Sequence, residues 1–171
     1  MIKGMKASGF DSLRVPVAWT NAMEYEKGDY TINEAYLDRV EEIINYALDN
    51  DMYVIINDHW DGSWWGMFGS SEQSDVDKAF EMYKSMWTQI ANRYKKYSDR
   101  LIFEGANEEL GDRLNDTDVC KNSGSLSKAE CYEMANKINQ TFVDTVRATG
   151  GNNEQRFLLI AGYNTDITMT C

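Results

Sequence analysis

The sequence is short of the residues on which several classes of site depend. Its 171 residues include one histidine, His59, so no metal site with several histidine ligands can form within the chain. Basic residues are also scarce, with 17 Lys and Arg against 28 Asp and Glu and a net charge of −11. Because nucleic acids and anionic membrane surfaces attract positive charge, neither is expected as a partner. An uncharged or cationic ligand is expected instead.

Long apolar runs, phosphate-binding loops and export signals are missing as well. No apolar run reaches the roughly 18 residues of a membrane span, and no signal peptide is recognised at Met1. No glycine-rich phosphate loop follows a predicted strand, which disfavours a nucleotide-dependent enzyme, and no cofactor or metal is expected. Of the three cysteines, Cys120 and Cys131 flank a polar loop and either form a disulfide or stay free, and Cys171 is the last residue.

The composition is that of a folded domain with a surplus of aromatic residues. Hydrophobic residues make up 43% of the chain, and there are five Trp and ten Tyr. A chain of 171 residues can bury one core, so we expect one domain, or part of one, over residues 1–171. Many of the aromatic residues belong to that core, and tryptophans left over in loops would suit a sugar-binding cleft.

Apolar periodicity predicts helices and strands in alternation. Short apolar runs predict strands at residues 13–19, 53–57, 101–108 and 156–161. Helical spacing predicts helices at residues 2–8, from a Thr31–Glu34 capping box to about residue 50, from a Ser74 cap to Tyr94, and from a Ser127–Glu130 capping box to Gly150. Residues 62–74 and 111–124 are predicted as loops, the second polar and solvated. Strands joined by helices run parallel, so the order predicts half of a (β/α)8 barrel or an open doubly wound sheet.

Polar and aromatic side chains follow each predicted strand, whereas the strand beginnings carry nothing comparable. In order they are Trp19 and Asn21, then His59, Trp60 and Asp61, then Asn107 and Glu108, then Tyr163 and Asn164. Ligands of parallel α/β folds bind at the carboxyl ends of the strands. Because indoles stack on sugar rings while Asn, His and Tyr bond to hydroxyls, the pattern predicts a carbohydrate site.

Several of these side chains also have a purely structural interpretation. Trp64 and Trp65 line the cleft or form a lid packed over the core. Tyr163 and Trp19 line the cleft or close their strands. By alternation along their strands, Arg14 and Glu104 can both point into a barrel interior, and we expect them to form a structural ion pair there.

Four stretches, in this order and spacing, resemble strands two to five of glycoside hydrolase family 5, in particular its bacterial endo-β-1,4-glucanases. They read LRVPVAW, VIINDHWDGSWW, LIFEGANEEL and RFLLIAGYNTD. The Asn-Glu dipeptide after an apolar strand is the hallmark of the wider clan of retaining β-glycosidases. The resemblance implies an α/β fold, the (β/α)8 TIM barrel, present here as a partial catalytic domain of about four parallel βα units over residues 1–171.

The resemblance also implies roles for individual residues. Glu108 would be the general acid/base, Asn107 would hold the sugar 2-hydroxyl, His59 would bind at the cleavage subsite, and Arg14 would support the nucleophile. The rest of the substrate surface would come from Trp60, Trp64, Trp65, Tyr163 and Trp19. Two departures stand out, because family members often have Pro where this chain has Glu109 and a second His where it has Trp60.

The implied activity is the cleavage of internal β-1,4-glucosidic bonds of cellulose or related β-glucans by double displacement, outside the cell. Retention needs two carboxyl groups about 5–5.5 Å apart, and the family's nucleophile, a Glu after strand seven, lies outside this chain. We therefore expect no hydrolysis by these residues alone. The alternatives are a mannan- or xyloglucan-active relative and a non-catalytic carbohydrate-binding relic, and exposed strand edges predict self-association.

Overall fold

The computed structural model describes residues 1–61, 64–118 and 120–169, so Cys171 and the first two residues of the predicted loop 62–74 lie outside it. Helices and strands alternate along the chain. They are α1 Ile2–Ala7, β1 Ser12–Val15, α2 Glu34–Leu48, β2 Tyr53–Asn57, α3 Gln73–Tyr94, β3 Leu101–Glu104, α4 Lys128–Ala148 and β4 Leu158–Leu159. Among the described residues, no helix combines the length and the hydrophobicity needed to cross a bilayer.

The strands form one parallel sheet in the order β1-β2-β3-β4. A doubly wound sheet requires a reversal of strand order, and this sheet has none. Sequential parallel strands, each following a helix, are instead the repeating unit of the (β/α)8 barrel. The chain is therefore a partial barrel, as the sequence predicts, with the carboxyl ends of its strands along one rim.

The two faces of the sheet differ in burial. Val54 and Ile56 of β2 and Leu101 and Phe103 of β3 are fully buried and belong to the hydrophobic core. The strand register aligns Arg14 with Ile55, and Ile55 with Ile102, on the opposite face. Arg14 is exposed and both isoleucines are half-buried, so the inner face of the partial barrel is open in this chain.

Helix α3 buries the predicted stripe. Its buried members are Val76, Ala79, Phe80, Tyr83, Met86, Trp87, Ile90 and Tyr94. The capping box of Ser127 and Glu130 at the start of α4 is confirmed, with reciprocal side-chain to backbone hydrogen bonds. The packed stripe and this cap are local patterns, and the sequence predicts both correctly.

Two predicted helix caps are wrong. Helix α2 is capped by Asn33, whose Oδ1 accepts a hydrogen bond from the Ala35 N–H at 2.9 Å, rather than by Thr31. Helix α3 begins at Gln73, one residue before Ser74, and no side chain caps it. Several cap-forming residues stand close together at both positions, and the fold selects among them.

The outer strands are shorter than predicted. Strand β1 ends at Val15, before Pro16, which has no N–H to donate to the ladder. Strand β4 does not include Arg156, whose side chain is 1% exposed. Its guanidinium donates to the carbonyl oxygens of Ser98, Leu101, Tyr94 and Tyr97 and to Asn153 Oδ1, at 2.6–3.3 Å. Burial lowers the pKa of Arg156 to about 10, and the guanidinium ties the amino-terminal ends of β3 and β4 to the end of α3.

The loop after β3 is solvated on one side, as the sequence predicts, and packed on the other, with Asp112, Arg113 and Asp118 exposed and Leu114 and Cys120 buried. It contains a 3-10 helix, Asp112–Asn115, and lies against a second one, Trp64–Gly69. A Cβ at Gly69 would stand 1.9 Å from the Leu114 carbonyl oxygen, so this contact requires glycine. Cys120 and Cys131 at the two sides of the loop are buried free thiols, which decides between the alternatives left open by their spacing.

Candidate active site at the carboxyl ends of the strands

Arg14 and Glu104 form the predicted ion pair on the inner face of the sheet. Arg14 Nε donates to Glu104 Oε2, and Arg14 Nη2 donates to Oε1, both at 2.8 Å. Nη2 also donates to Asn107 Oδ1 at 2.7 Å. The hydrogen bonds to Glu104 raise the pKa of Arg14 against the opposing effect of burial, and the charges of Glu109 and Glu108 add to the rise. Arg14 thus joins strand β1 to the residues that follow β3.

Glu108 follows Asn107 and is exposed at the rim. The other carboxylates nearby are occupied or enclosed: Glu104 is paired with Arg14, and Glu109 accepts two backbone hydrogen bonds. In the part of the chain that the structure describes, Glu108 is therefore the carboxylate at this edge that is free to meet a ligand.

His59 and Trp60 stand at the end of β2. The His59 N–H donates to the Val17 carbonyl oxygen at 3.0 Å, and His59 Nδ1 lies 3.3 Å from Asn57 Nδ2. The Trp60 side chain is 74% exposed, and the Arg113 guanidinium lies 5.6 Å from the centroid of its ring. The backbone of Trp60 has a left-handed φ of +53°, which is uncommon for a bulky residue. The indole is therefore open to solvent, on a backbone conformation that its surroundings must hold.

Glu109 is a residue whose placement the sequence does not predict. It is 2% exposed, and its Oε2 accepts from the Asn107 N–H at 2.7 Å while its Oε1 accepts from the Trp60 N–H at 3.2 Å. The sequence shows only a second acidic residue beside Glu108, and an acidic residue is ordinarily expected to be exposed to solvent. The buried carboxylate instead bridges the loops that follow β2 and β3.

Two further acids lie beneath the rim. Asp61 is fully buried and accepts from the Thr20 N–H at 2.8 Å and from Thr20 Oγ1 at 2.6 Å. Asp58 is also fully buried, and neither of its oxygens has a hydrogen-bond partner. Burial raises the pKa of Asp58 well above its usual value, and the charges of Asp61 and Glu109 raise it further. The fold therefore favours the protonated form of Asp58 more than water does.

These acids do not assemble a metal site. Over residues 1–61, 64–118 and 120–169, no group of three or more His, Cys, Asp or Glu side chains could hold a metal ion. Asp61 and Glu109 accept backbone hydrogen bonds instead. The arrangement suits hydrogen bonding and proton transfer.

Three tryptophans proposed as cleft residues are in the core, which corrects the prediction. Trp19 is 0% exposed, and its Nε1 donates to the Asn57 carbonyl oxygen at 2.9 Å. Trp64 and Trp65 are 0% and 1% exposed and stack on each other with centroids 4.5 Å apart. Their position beneath the loop after β3 matches the alternative of a lid packed over the core, so Trp60 is the exposed tryptophan of the rim.

Tyr163 is likewise packed rather than open to the cleft. It is 4% exposed, its hydroxyl donates to Asp112 Oδ1 at 2.6 Å, and its ring lies 4.5 Å from that of Tyr132. The neighbouring Asn164 Nδ2 donates to Asp112 Oδ2 at 2.9 Å. Tyr163 therefore fixes the segment after β4 to the loop after β3, which is the strand-closing alternative.

The chain matches the family model described as Cellulase (glycosyl hydrolase family 5) over residues 1–171. It belongs to glycosyl hydrolase family 5. Among curated members of the family, it is 41% identical to the xyloglucan-specific endo-β-1,4-glucanase BoGH5A of Bacteroides ovatus over 98% of this chain and 31% of that protein. It is 38% identical to endoglucanase A of Paenibacillus barcinonensis over 99% of this chain and 40% of that protein.

Solved structures of family 5 share the fold. A B. ovatus family 5 xyloglucanase in complex with a XXXG heptasaccharide superimposes with a TM-score of 0.81 and 40% identity, over 98% of this chain and 34% of that one. A broad-specificity endoglucanase of Ruminococcus champanellensis with bound cellotriose gives a TM-score of 0.77 and 38% identity, over 95% of this chain and 44% of that one. The chain thus spans about a third to two fifths of the length of the curated family 5 relatives named above.

Proposed function

We propose that this chain supplies the acid/base half of a retaining β-glucanase that cleaves internal β-1,4-glucosidic bonds. One observation carries the proposal: Arg14 Nη2 holds Asn107 Oδ1 at 2.7 Å on the rim, beside the exposed Glu108. A carboxyl group free at the carboxyl end of a barrel strand and flanked by fixed hydrogen-bonding groups is suited to donate a proton to a leaving oxygen.

In this mechanism Glu108 protonates the glycosidic oxygen while a second carboxylate attacks the anomeric carbon. Glu108 then takes a proton from the water that releases the product with retained configuration. Asn107 and His59 would bind the sugar at the bond that is cleaved, and Trp60 would stack on a neighbouring ring. Membership of family 5 implies that the nucleophile is a Glu after strand seven, so it would come from a part of the protein outside these residues.

Xyloglucan is a candidate substrate alongside unbranched β-1,4-glucan. A 41% identical relative is a xyloglucan-specific endo-β-1,4-glucanase, and a structural neighbour was solved with a XXXG heptasaccharide. Another neighbour is a broad-specificity endoglucanase with bound cellotriose. The open rim around Trp60 is compatible with a glucan backbone that carries side groups. Initial rates on xyloglucan, unbranched β-1,4-glucan and mannan would rank the three polymers.

The test uses the full-length protein that includes these residues, with soluble β-glucan as substrate and NMR to identify the first anomer released. We expect turnover with retained configuration, and a loss of at least about 100-fold in kcat for Glu108→Gln, the typical contribution of an acid/base group. Asp144→Asn is a matched control, because Asp144 is an exposed carboxylate on α4 that accepts a hydrogen bond from Gln140. Undiminished turnover by Glu108→Gln would refute the proposal, and glucan binding without turnover by the wild type would identify a carbohydrate-binding relic.

For the 171-residue chain alone we propose self-association without hydrolysis. Strands β1 and β4 each pair on one side only among the described residues, and the inner face of the sheet is open. Unpaired strand edges favour association between copies. Light scattering of the isolated chain should give a mass above that of the 19.6 kDa monomer, and a monodisperse monomer would contradict this proposal.

We also propose that the protein acts outside the cell. Its proposed substrates are polymers that do not cross a membrane, so cleavage must precede uptake. Fractionation of the producing cells should recover the protein and its activity from the medium or the cell surface, and recovery in the cytosolic fraction would contradict this location.

A further inference from the structure

Glu109 joins the two loops that present the exposed groups of the rim. Its Oε2 lies 2.7 Å from the Asn107 nitrogen, in the loop after β3, and its Oε1 lies 3.2 Å from the Trp60 nitrogen, in the loop after β2. Both N–H groups donate, so both oxygens of the carboxylate are used as acceptors. Since Glu109 is 2% exposed, it does not itself reach a ligand on the rim.

The contact with Trp60 acts on a strained part of the backbone. A bulky residue with a φ of +53° keeps that conformation only when its surroundings hold it. The hydrogen bond from the Trp60 N–H to Glu109 is such a restraint, and the indole that it orients is 74% exposed. The position of this aromatic face therefore depends on a side chain 49 residues away.

The contact with Asn107 acts on the residue next to the proposed acid/base. Asn107 is held at both ends, since its side-chain oxygen accepts from Arg14 at 2.7 Å and its N–H donates to Glu109 at 2.7 Å. Glu108 follows directly and is exposed. The Glu109 carboxylate thus holds both the backbone beside Glu108 and the backbone of Trp60. This shared contact sets the distance between the Glu108 carboxyl group and the Trp60 indole.

We propose that Glu109 is a positioning residue that holds Glu108 and Trp60 in register across the two loops, an inference that rests on the function proposed above. The role requires two acceptors and no donor. A glutamine has the same shape but would turn an NH2 group towards one of the two backbone N–H groups, so one hydrogen bond is lost. A proline at this position would provide neither acceptor.

Glu109 is one of several acidic residues that are buried beneath the rim. Asp58 and Asp61 are buried nearby, and the charges of Asp61 and Glu109 both act on Asp58. Glutamine keeps the size and shape of the glutamate side chain and can keep one of its two hydrogen bonds. Glu109→Gln is therefore expected to keep the fold, and its effect should appear in geometry and turnover.

The experiment compares wild type, Glu109→Gln and Asp144→Asn in the full-length protein. In Glu109→Gln we expect kcat on soluble β-glucan to fall about tenfold or more, as misplacement of a catalytic group implies, with melting temperatures of the two variants alike. Hydrogen exchange should show loss of protection at the Trp60 or Asn107 amide, while the His59 amide, which donates to Val17, stays protected. Asp144→Asn should leave kcat and all three amides unchanged.

Two results would overturn the inference. In the first, Glu109→Gln has the kcat of the wild type and both amides stay protected. In the second, kcat falls in proportion to a lower melting temperature and both amides stay protected. If the wild type itself does not hydrolyse glucan, the proposed function fails. The protection of the Trp60 and Asn107 amides then tests the bridge between the loops independently. In that case loss of protection supports the bridge between the loops, and retained protection refutes it.

Discussion

A single guanidinium, that of Arg14, occupies both oxygens of Glu104 at 2.8 Å, although the two residues are 90 positions apart in the chain. The same Nη2 reaches Asn107 Oδ1 at 2.7 Å. Strand β1 thereby fixes the end of β3 and the amide beside Glu108. Planar, two-pronged recognition of this kind is specific to arginine, because a lysine ammonium is a single point charge.

The first prediction follows from that geometry. Arg14→Lys keeps the charge but lacks the planar guanidinium that bonds to both Glu104 oxygens and to Asn107, so the Asn107 side chain loses its restraint. We expect kcat on soluble β-glucan to fall about tenfold to a hundredfold in the full-length protein. Arg39→Lys is the matched control, since Arg39 pairs with Glu42 on the outer surface. Equal kinetics for the two variants would contradict this role of Arg14.

The second prediction concerns the pH dependence of stability at Asp58. Burial raises the pKa of Asp58 in the folded state, so above the unfolded pKa of about 3.9 the folded state binds more protons than the unfolded state. Stability then falls as pH rises, by up to about 1.4 kcal/mol per pH unit, until the folded pKa is reached. Asp58→Asn removes this loss. Its melting temperature relative to wild type should therefore increase from pH 4 to pH 8.

Asp112 provides a control of opposite sign for that experiment. Hydrogen bonds from Tyr163 and Asn164 lower the pKa of Asp112, so its charge stabilises the fold above the unfolded pKa, and this contribution is lost as pH falls through the folded pKa. Asp112→Asn should be more destabilising at pH 7 than at pH 3. A pH-independent difference between Asp58→Asn and wild type, with the Asp112 trend present, would show that folding does not raise the pKa of Asp58.

The third prediction tests the packed loop after β3. A Cβ at Gly69 would stand 1.9 Å from the Leu114 carbonyl oxygen, whereas a Cβ at Gly4 in α1 meets nothing within 4 Å. Gly69→Ala should lower the free energy of unfolding by about 1–3 kcal/mol, the usual cost of overpacking, while Gly4→Ala should raise it by about 0.5–1 kcal/mol. Urea unfolding of both variants measures the contrast. Similar values for the two would mean that the loop does not pack closely there.

The fourth prediction concerns the opposite end of the sheet. Arg156→Lys leaves several buried carbonyl groups without a donor, each worth about 1–3 kcal/mol, so we expect a clearly lower melting temperature. Glucan turnover well below that temperature should be unchanged, because Arg156 contacts no residue of the rim. Arg100→Lys, which alters an exposed pair with Asp51, is the control. Loss of turnover without loss of stability would contradict this separation.

The parts of the fold that follow from local pattern were predictable. The capping box of Ser127 and Glu130 and the buried stripe of α3 each depend on residues within a few turns of one another. The pair of Arg14 and Glu104 was predictable too, because alternation along β1 and β3 places this arginine and this glutamate on the same inner face, where each charge needs a partner. In each case the periodicity of a helix or a strand indicates which side chains share a face.

Contacts between distant loops were not predictable from the residues that make them. The sequence around Trp64 and Trp65 does not show whether they face a ligand or are covered by a loop. The loop that covers them starts more than 40 residues later in the chain. Gly66 and Gly69 carried a signal, since glycines beside bulky aromatic residues indicate close backbone approach. The hydrogen bonds of Glu109 depend on a left-handed Trp60, which no spacing rule indicates.

The anchoring of Arg156 to five oxygen atoms has a practical consequence for engineering. It stabilises the amino-terminal ends of β3 and β4 without involving the loops that carry Trp60 and Glu108. A mutant library can diversify those loops to change the preferred polymer, and the hydrogen bonds of Arg156 are then left unchanged. Screening such a library can therefore select for altered specificity with less loss to misfolded clones.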